Sequence, residues 1–239
     1  MNNELFIEGI RISWDEIDEN SYLKKIEAIS SMQELSFHSP VTFFVGENGS
    51  GKSTLLEGIA IAWGFNAEGG TRNYSFSTYD SHSELCDHIT LIKGPRHPKW
   101  GYFLRAESFY NVATKEEEYG RLSPRGSQYY HLKSHGESFL AMAENNLKEN
   151  GLYIFDEPEA ALSPQRQLTM LYEIDRSVKE GSQFIIVTHS PILLGYPECE
   201  ILSFDDTLQP IAYEDTDSYK ITRMFLNDRE RILKQLLDD

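Results

Sequence analysis

One nine-residue stretch constrains this chain more than any other: Gly46-Glu47-Asn48-Gly49-Ser50-Gly51-Lys52-Ser53-Thr54. Three glycines in six positions make a loop able to take up left-handed backbone that other residues enter at a cost. The five residues before it, Val41–Val45 (VTFFV), are β-branched or aromatic throughout and read as a strand buried on both faces. Those after it, Lys52–Gly64, carry a helical pattern. Strand, glycine loop and helix together satisfy G-x-x-x-x-G-K-[ST], a pattern whose physics is anion binding. Backbone N–H groups curl around phosphate oxygens while the helix N-terminus faces the same charge. Lys52 is expected to reach the β- and γ-phosphates and the Ser53 hydroxyl to hold Mg²⁺. Gly46, Asn48, Gly49, Ser50, Gly51 and Thr54 complete the expected cradle.

Two more short apolar runs, Leu152–Phe155 (LYIF) and Phe184–Val187 (FIIV), also read as strands buried on both faces. Helical patterns at Glu137–Glu149 and Ser163–Lys179 alternate with them. That alternation predicts an α/β fold of the P-loop type: a mostly parallel central sheet with flanking helices. Leu5–Ser13 alternates like an exposed strand and predicts a small N-terminal β part. Ile201–Phe204 and Ile211–Tyr213 are expected to form a late hairpin, and Ile221–Leu237 a charged amphipathic helix. The span of about 65–149 begins with weakly periodic sequence rich in Gly, Ser, Tyr and His and is expected to be an irregular, partly helical lobe within a single domain, 1–239. A chain of 239 residues suffices for one such domain.

Composition narrows the setting. At 40% hydrophobic and 25% charged residues the chain is globular rather than disordered. No stretch approaches the ~20 apolar residues of a membrane span, and the start lacks the regions of a signal peptide, so direct membrane insertion is not expected. Two cysteines are too few for a disulfide framework, which suits a reduced cytoplasm. The net charge of −16 repels phosphate backbones on average and counts against broad nucleic-acid binding. A local basic stretch with Arg121, Arg125, His131 and Lys133 reads either as a solvated loop or as a phosphate-binding patch.

The second apolar run ends in Asp156-Glu157-Pro158-Glu159. An Asp at the end of a parallel strand beside the loop strand can bind Mg²⁺, and Glu157 would then polarise an attacking water as general base. A solvated acidic turn is the alternative. The third run ends in Thr188-His189-Ser190-Pro191, which sets His189 near a γ-phosphate unless it is a packed structural histidine. His82, Cys86 and His88 cluster with Asp80 and Asp87 as candidate zinc ligands, but three loosely spaced His and Cys side chains do not make a structural site. Tyr129-Tyr130-His131 could stack bases or simply pack.

Taken together, GENGSGKST, SHGES, LYIFDEPEAALSP and VTHSP resemble the ATP-binding-cassette type ATPases. The likeness is strongest to soluble single-domain ATPases of the recombination and chromosome-maintenance branch. The motif order and spacing agree: 20 residues separate Gly136 from Asp156, and 32 separate Glu157 from His189. The resemblance implies that Asp156 is the Walker B aspartate, Glu157 the catalytic glutamate and His189 the switch histidine. It implies that Ala160–Ser163 is the loop that communicates across a dimer, with Ser163 where Asp is common. Ser134-His135-Gly136-Glu137 matches the signature motif, in which Ser134, Gly136 and Glu137 would bind the nucleotide of a second subunit. Here His135 replaces a glycine and Glu137 a glutamine, and the segment also fits a helix cap with Ser134 as N-cap. Glu107 is the candidate for the glutamine-loop contact to Mg²⁺ or water, against a structural salt bridge. Tyr22 or Trp14 is the candidate to stack adenine, against ordinary packing. The implied cofactors are ATP and Mg²⁺, and the implied assembly is an ATP-dependent homodimer with a further partner protein. Three outputs follow from the resemblance: DNA maintenance or defence, the nucleotide-binding subunit of a transporter, and a non-hydrolysing ATP sensor.

Overall fold

The all-apolar runs become the middle of a six-stranded sheet. The computed structural model describes residues 4–71, 83–105, 146–205 and 207–237. In chain order its strands are β1 (Ile7–Ile12), β2 (Glu34–Ser36), β3 (Val41–Val45), β4 (Ile89–Lys93), β5 (Trp100–Arg105), β6 (Gly151–Asp156), β7 (Gln183–Val187), β8 (Glu200–Ser203) and β9 (Gln209–Pro210). The helices are α1 (Glu27–Ser30), α2 (Lys52–Trp63), α3 (Leu85–His88), α4 (Pro164–Lys179), α5 (Asp217–Asn227) and α6 (Arg229–Leu237). Every residue of β3, β6 and β7 is buried, as runs without alternation require of strands covered on both faces.

The large sheet has the order β5-β6-β7-β3-β8-β9, parallel throughout except for the β8–β9 pair. Successive residues of each strand serve opposite cores. Phe44, Ile154, Ile185 and Val187 join α2 and the N-terminal sheet, while Phe43, Phe155, Phe184 and Ile186 join Met170 and Ile174 of α4. The expectation that the Asp156 strand adjoins β3 is corrected, because β7 lies between them. Hydrophobic runs report burial on both faces but carry no information about which neighbour a parallel strand takes.

Three other expectations change in detail. The N-terminal strand is not exposed: β1 is the centre of an antiparallel sheet ordered β2-β1-β4, and Ile7 and Ile10 are fully buried while Glu8 and Arg11 face water. The late hairpin forms, but its second arm is Gln209–Pro210, and Tyr213–Asp215 turns into a short 3₁₀ segment. The C-terminal helix divides at Asp228, which caps α5, while its carboxylate accepts a hydrogen bond from Arg231 in the first turn of α6. Within the span 65–149, β4 completes the small sheet and β5 forms the edge of the large one. The rest of that span, 72–82 and 106–145, lies outside the described residues, as does most of the Glu137–Glu149 pattern.

One buried side chain joins the two sheets. Oε1 of Gln183 accepts from the backbone N–H groups of Phe6 (2.8 Å) and Ile7 (3.0 Å), and its Nε2 donates to the Ile7 carbonyl (2.8 Å). Three backbone groups that no strand pairs are satisfied by one amide. Gln183→Leu keeps the volume and strands all three, so a loss of about 3 kcal/mol is expected in urea denaturation. A loss below ~1 kcal/mol would show that the clasp is dispensable.

Candidate functional site

The loop between β3 and α2 is built on left-handed glycines: Gly46, Gly49 and Gly51 have φ of +139°, +85° and +96°. At Gly51, the N-cap of α2, a Cβ would lie 2.6 Å from Cγ2 of Ile26 and 2.7 Å from Cδ1 of Ile29. The glycine therefore serves both conformation and close packing against the segment before β2. α2 begins at Lys52, directly after this loop, so the N–H groups of its first turn have no partner within the helix. Lys52 is almost wholly buried, and its ammonium donates to the carbonyls of Gly46 (2.8 Å) and Glu47 (2.6 Å). Burial lowers the Lys52 pKa, and the nearby carboxylates of Glu157, Asp205 and Asp156 act in the opposite direction.

The parallel strands deliver the other groups to the same edge. α2 crosses over β7 to reach β6, and Ser53 Oγ donates to Asp156 Oδ1 at 2.9 Å. The intervening strand thus does not separate the two predicted metal ligands. Both are hard oxygen donors of the type that Mg²⁺ prefers, so the residues present fit that ion. On the other side of the carboxylate, Arg105 Nε lies 3.6 Å from Asp156 Oδ2. Arg105 is in register with Asp156 across β5 and β6, and its Nη1 is 2.6 Å from Glu57 of α2.

Glu157 takes left-handed backbone (φ +49°, ψ +53°), strain of about 1–3 kcal/mol of the kind that collects at functional sites. Its N–H donates to the Val187 carbonyl, which keeps it beside β7. His189 Nε2 stands 3.7 Å from Glu157 Oε1, and both side chains are partly exposed. The structure therefore brings together Lys52, Ser53, Asp156, Glu157 and His189. The other candidate residues divide. Trp14 donates its indole N–H to the Met32 carbonyl, and Tyr22 donates to Ser83 Oγ. Neither lines the cleft of about 740 Å³ beside Glu47–Ser50, whose far wall is Lys25–Ala28, Phe204, Asp205 and Gln209. Cys86 is buried and His88 lies 3.6 Å from Glu16; among the described residues no group of three could hold a metal. Glu107, Ser134, His135, Gly136, Glu137, the basic stretch from Arg121 to Lys133 and the Tyr129-Tyr130-His131 run lie outside the described residues, with Asp80 and His82.

Three residues at this edge escaped the sequence reading. Asp205 follows β8 and accepts from the Glu47 N–H at 3.0 Å, steadying the loop from outside. Glu159 accepts from Thr188 Oγ1 (2.7 Å) and from the His189 N–H (2.5 Å). Arg105 ends β5. Each ends or closely follows a buried strand, the position from which Asp156 and His189 were found, but only the sheet order shows that these strand ends converge.

Two family models match the chain. Residues 22–85, which include the glycine loop, match one described as "AAA domain". Residues 138–195, which include Asp156, Glu157 and His189, match one described as "AAA domain, putative AbiEii toxin, Type IV TA system". No curated protein matches. Among solved structures, the chain is similar to the SMC head domain from Thermotoga maritima (17% identity, 75% of this chain and 93% of that one, TM-score 0.43). It is also similar to "a putative metal-chelate type ABC transporter" in an inward-facing conformation (16%, 94% and 89%, TM-score 0.49). A third likeness is to an SMC head bound to the C-terminal winged-helix domain of ScpA (17%, 76% and 93%, TM-score 0.45).

The loop geometry separates its glycines. Gly51→Ala meets both a left-handed φ and Ile26, and is expected to cost about 2–3 kcal/mol in chemical denaturation. Gly49→Ala, whose Cβ meets nothing within 4 Å, should cost only about 1 kcal/mol. Equal losses would mean that the contact with Ile26 and Ile29 does not constrain the loop.

Proposed function

We propose that this chain, a P-loop domain of the AAA and ABC type, binds ATP with Mg²⁺ and hydrolyses it, two copies closing around the nucleotide. The observation that carries the reading is the 2.9 Å bond between Ser53 of the loop helix and Asp156, with Glu157 next in sequence and His189 beside it. Phosphoryl transfer asks a protein for position and charge rather than covalent chemistry. Lys52 leaves its loop carbonyls to bind phosphate oxygens, in keeping with donors that need only rotate. Ser53 and Asp156 would hold the metal, and Mg²⁺, when bound, supplies neutralisation of the phosphate charge. Glu157 orients the attacking water and accepts its proton, and His189 donates to the terminal phosphate.

Glu107 is proposed as a further contact to metal or water. Ser134, Gly136 and Glu137 are proposed to complete the site from a second copy, with Ala160–Ser163 at the same interface. A partner protein receives the output. The AbiEii description over 138–195 supports a defence setting over DNA maintenance, and the charge of −16 weighs in the same direction by disfavouring extended DNA contact. Two unpaired cysteines support a cytoplasmic setting. Among the described residues no helix is long and apolar enough to cross a membrane.

The sandwich is tested with Glu157→Gln, which keeps the volume and removes the base. Light scattering should give the mass of one chain without nucleotide and of two with ATP–Mg²⁺. ATP bound with no change of mass would remove the two-copy mechanism.

A further inference from the structure

Beyond the groups that would touch nucleotide, the loops after β6 and β7 are joined by a chain of hydrogen bonds with no role in holding the sheet. Starting at the first loop, the Glu159 carboxylate takes one bond on each oxygen: Thr188 Oγ1 donates to Oε2 at 2.7 Å and the His189 N–H donates to Oε1 at 2.5 Å. Thr188 Oγ1 in turn accepts from the Ser190 N–H at 3.0 Å. Ser190 Oγ donates to Gln167 Oε1 at 2.5 Å, and Gln167 Nε2 returns to the first loop by donating to the Leu162 carbonyl at 3.0 Å. Thr188, Ser190 and Gln167 are buried, so water does not compete for these bonds.

We infer that Glu159 and Gln167 are positioning residues that make the two loops one body and hold His189 against Glu157, an inference that rests on the hydrolytic reading above. The choice of residue supports it. A third carboxylate two residues from Glu157 raises local negative charge. A carboxylate offers a separate oxygen to each of the two donors, where a neutral amide has one acceptor oxygen, and its charge strengthens and shortens the bond to the backbone of His189. That bond fixes the position of the His189 backbone, and so where its imidazole stands relative to Glu157 Oε1, 3.7 Å away. Gln167 performs the same service at the other end, so a displacement of the 160–162 segment is felt at His189 without passing through the sheet.

The test compares wild type, Glu159→Ala, Glu159→Gln and Gln167→Leu by ATP turnover, ATP affinity and exchange of the His189 amide hydrogen. In Glu159→Ala, kcat should fall about 10- to 100-fold with ATP affinity within about twofold, and the amide should exchange at least about tenfold faster. Glu159→Gln retains one acceptor and should recover part of kcat; Gln167→Leu should show the same split more weakly. Should Glu159→Ala fail to fold, Glu159→Gln and Thr188→Val, which removes one donor alone, decide the matter by the same readouts. Wild-type kcat and exchange in these variants would overturn the positioning role and leave hydrolysis standing. Wild-type protein that binds ATP without turnover would instead overturn the hydrolytic reading, and the positioning role with it.

Discussion

Everything at the site depends on five strands running the same way. In β5, β6, β7, β3 and β8 the carboxyl ends lie along one edge, and the residues that end or follow them are Arg105, Asp156-Glu157, Thr188-His189, Gly46 and Asp205. In a parallel sheet that edge is the place where loops are free to diverge and ligands can enter. An antiparallel neighbour would send its carboxyl end to the opposite edge. The burial of β3, β6 and β7 on both faces therefore does more than stabilise the domain. It fixes the relative heights of a glycine loop, the Asp156 carboxylate and a histidine that are far apart in sequence.

Among the described residues, the charges around Lys52 and Asp156 are linked to one another and to backbone groups. Lys52, nearly out of solvent, is held by two carbonyls and faces three carboxylates. Asp156 is shared between a hydroxyl and a guanidinium, and that guanidinium is balanced by Glu57. Such networks hold side chains at defined angles because breaking any one link leaves a buried charge uncompensated. An ion or a phosphate entering here would exchange partners within an existing framework instead of organising a loose one.

Much of this was legible before the structure. The glycine loop could be read because its residues are constrained by backbone conformation, and the three apolar runs because burial on both faces leaves no polar alternation. The places of Asp156, Glu157 and His189 at the sheet edge could be read because they end or follow such runs. What could not be read belongs to pairing. The pattern of β7 does not say that it sits between β3 and β6, and the alternation of β1 does not say that β2 and β4 cover both its edges. Glu159 and Gln167 are eight residues apart in an acidic turn and a helix, and nothing in their spacing reveals that both reach the loop after β7. Asp205 and Arg105 were invisible for the same reason, since each acts through a neighbour chosen by the sheet order. The aromatic candidates differ: Trp14 and Tyr22 precede the loop in sequence and make their hydrogen bonds with Met32 and Ser83, and neither lines the cleft beside Glu47–Ser50.

The central proposal is that this edge binds a nucleotide and hydrolyses it. The direct measurement is phosphate release at saturating ATP–Mg²⁺ for wild type and Glu157→Gln, paired with ATP affinity for both. The account predicts turnover in wild type, a fall of at least about 100-fold in the variant, and affinity changed by less than about threefold. Equal turnover in the two proteins would contradict it, because the water would then be activated by some group other than Glu157.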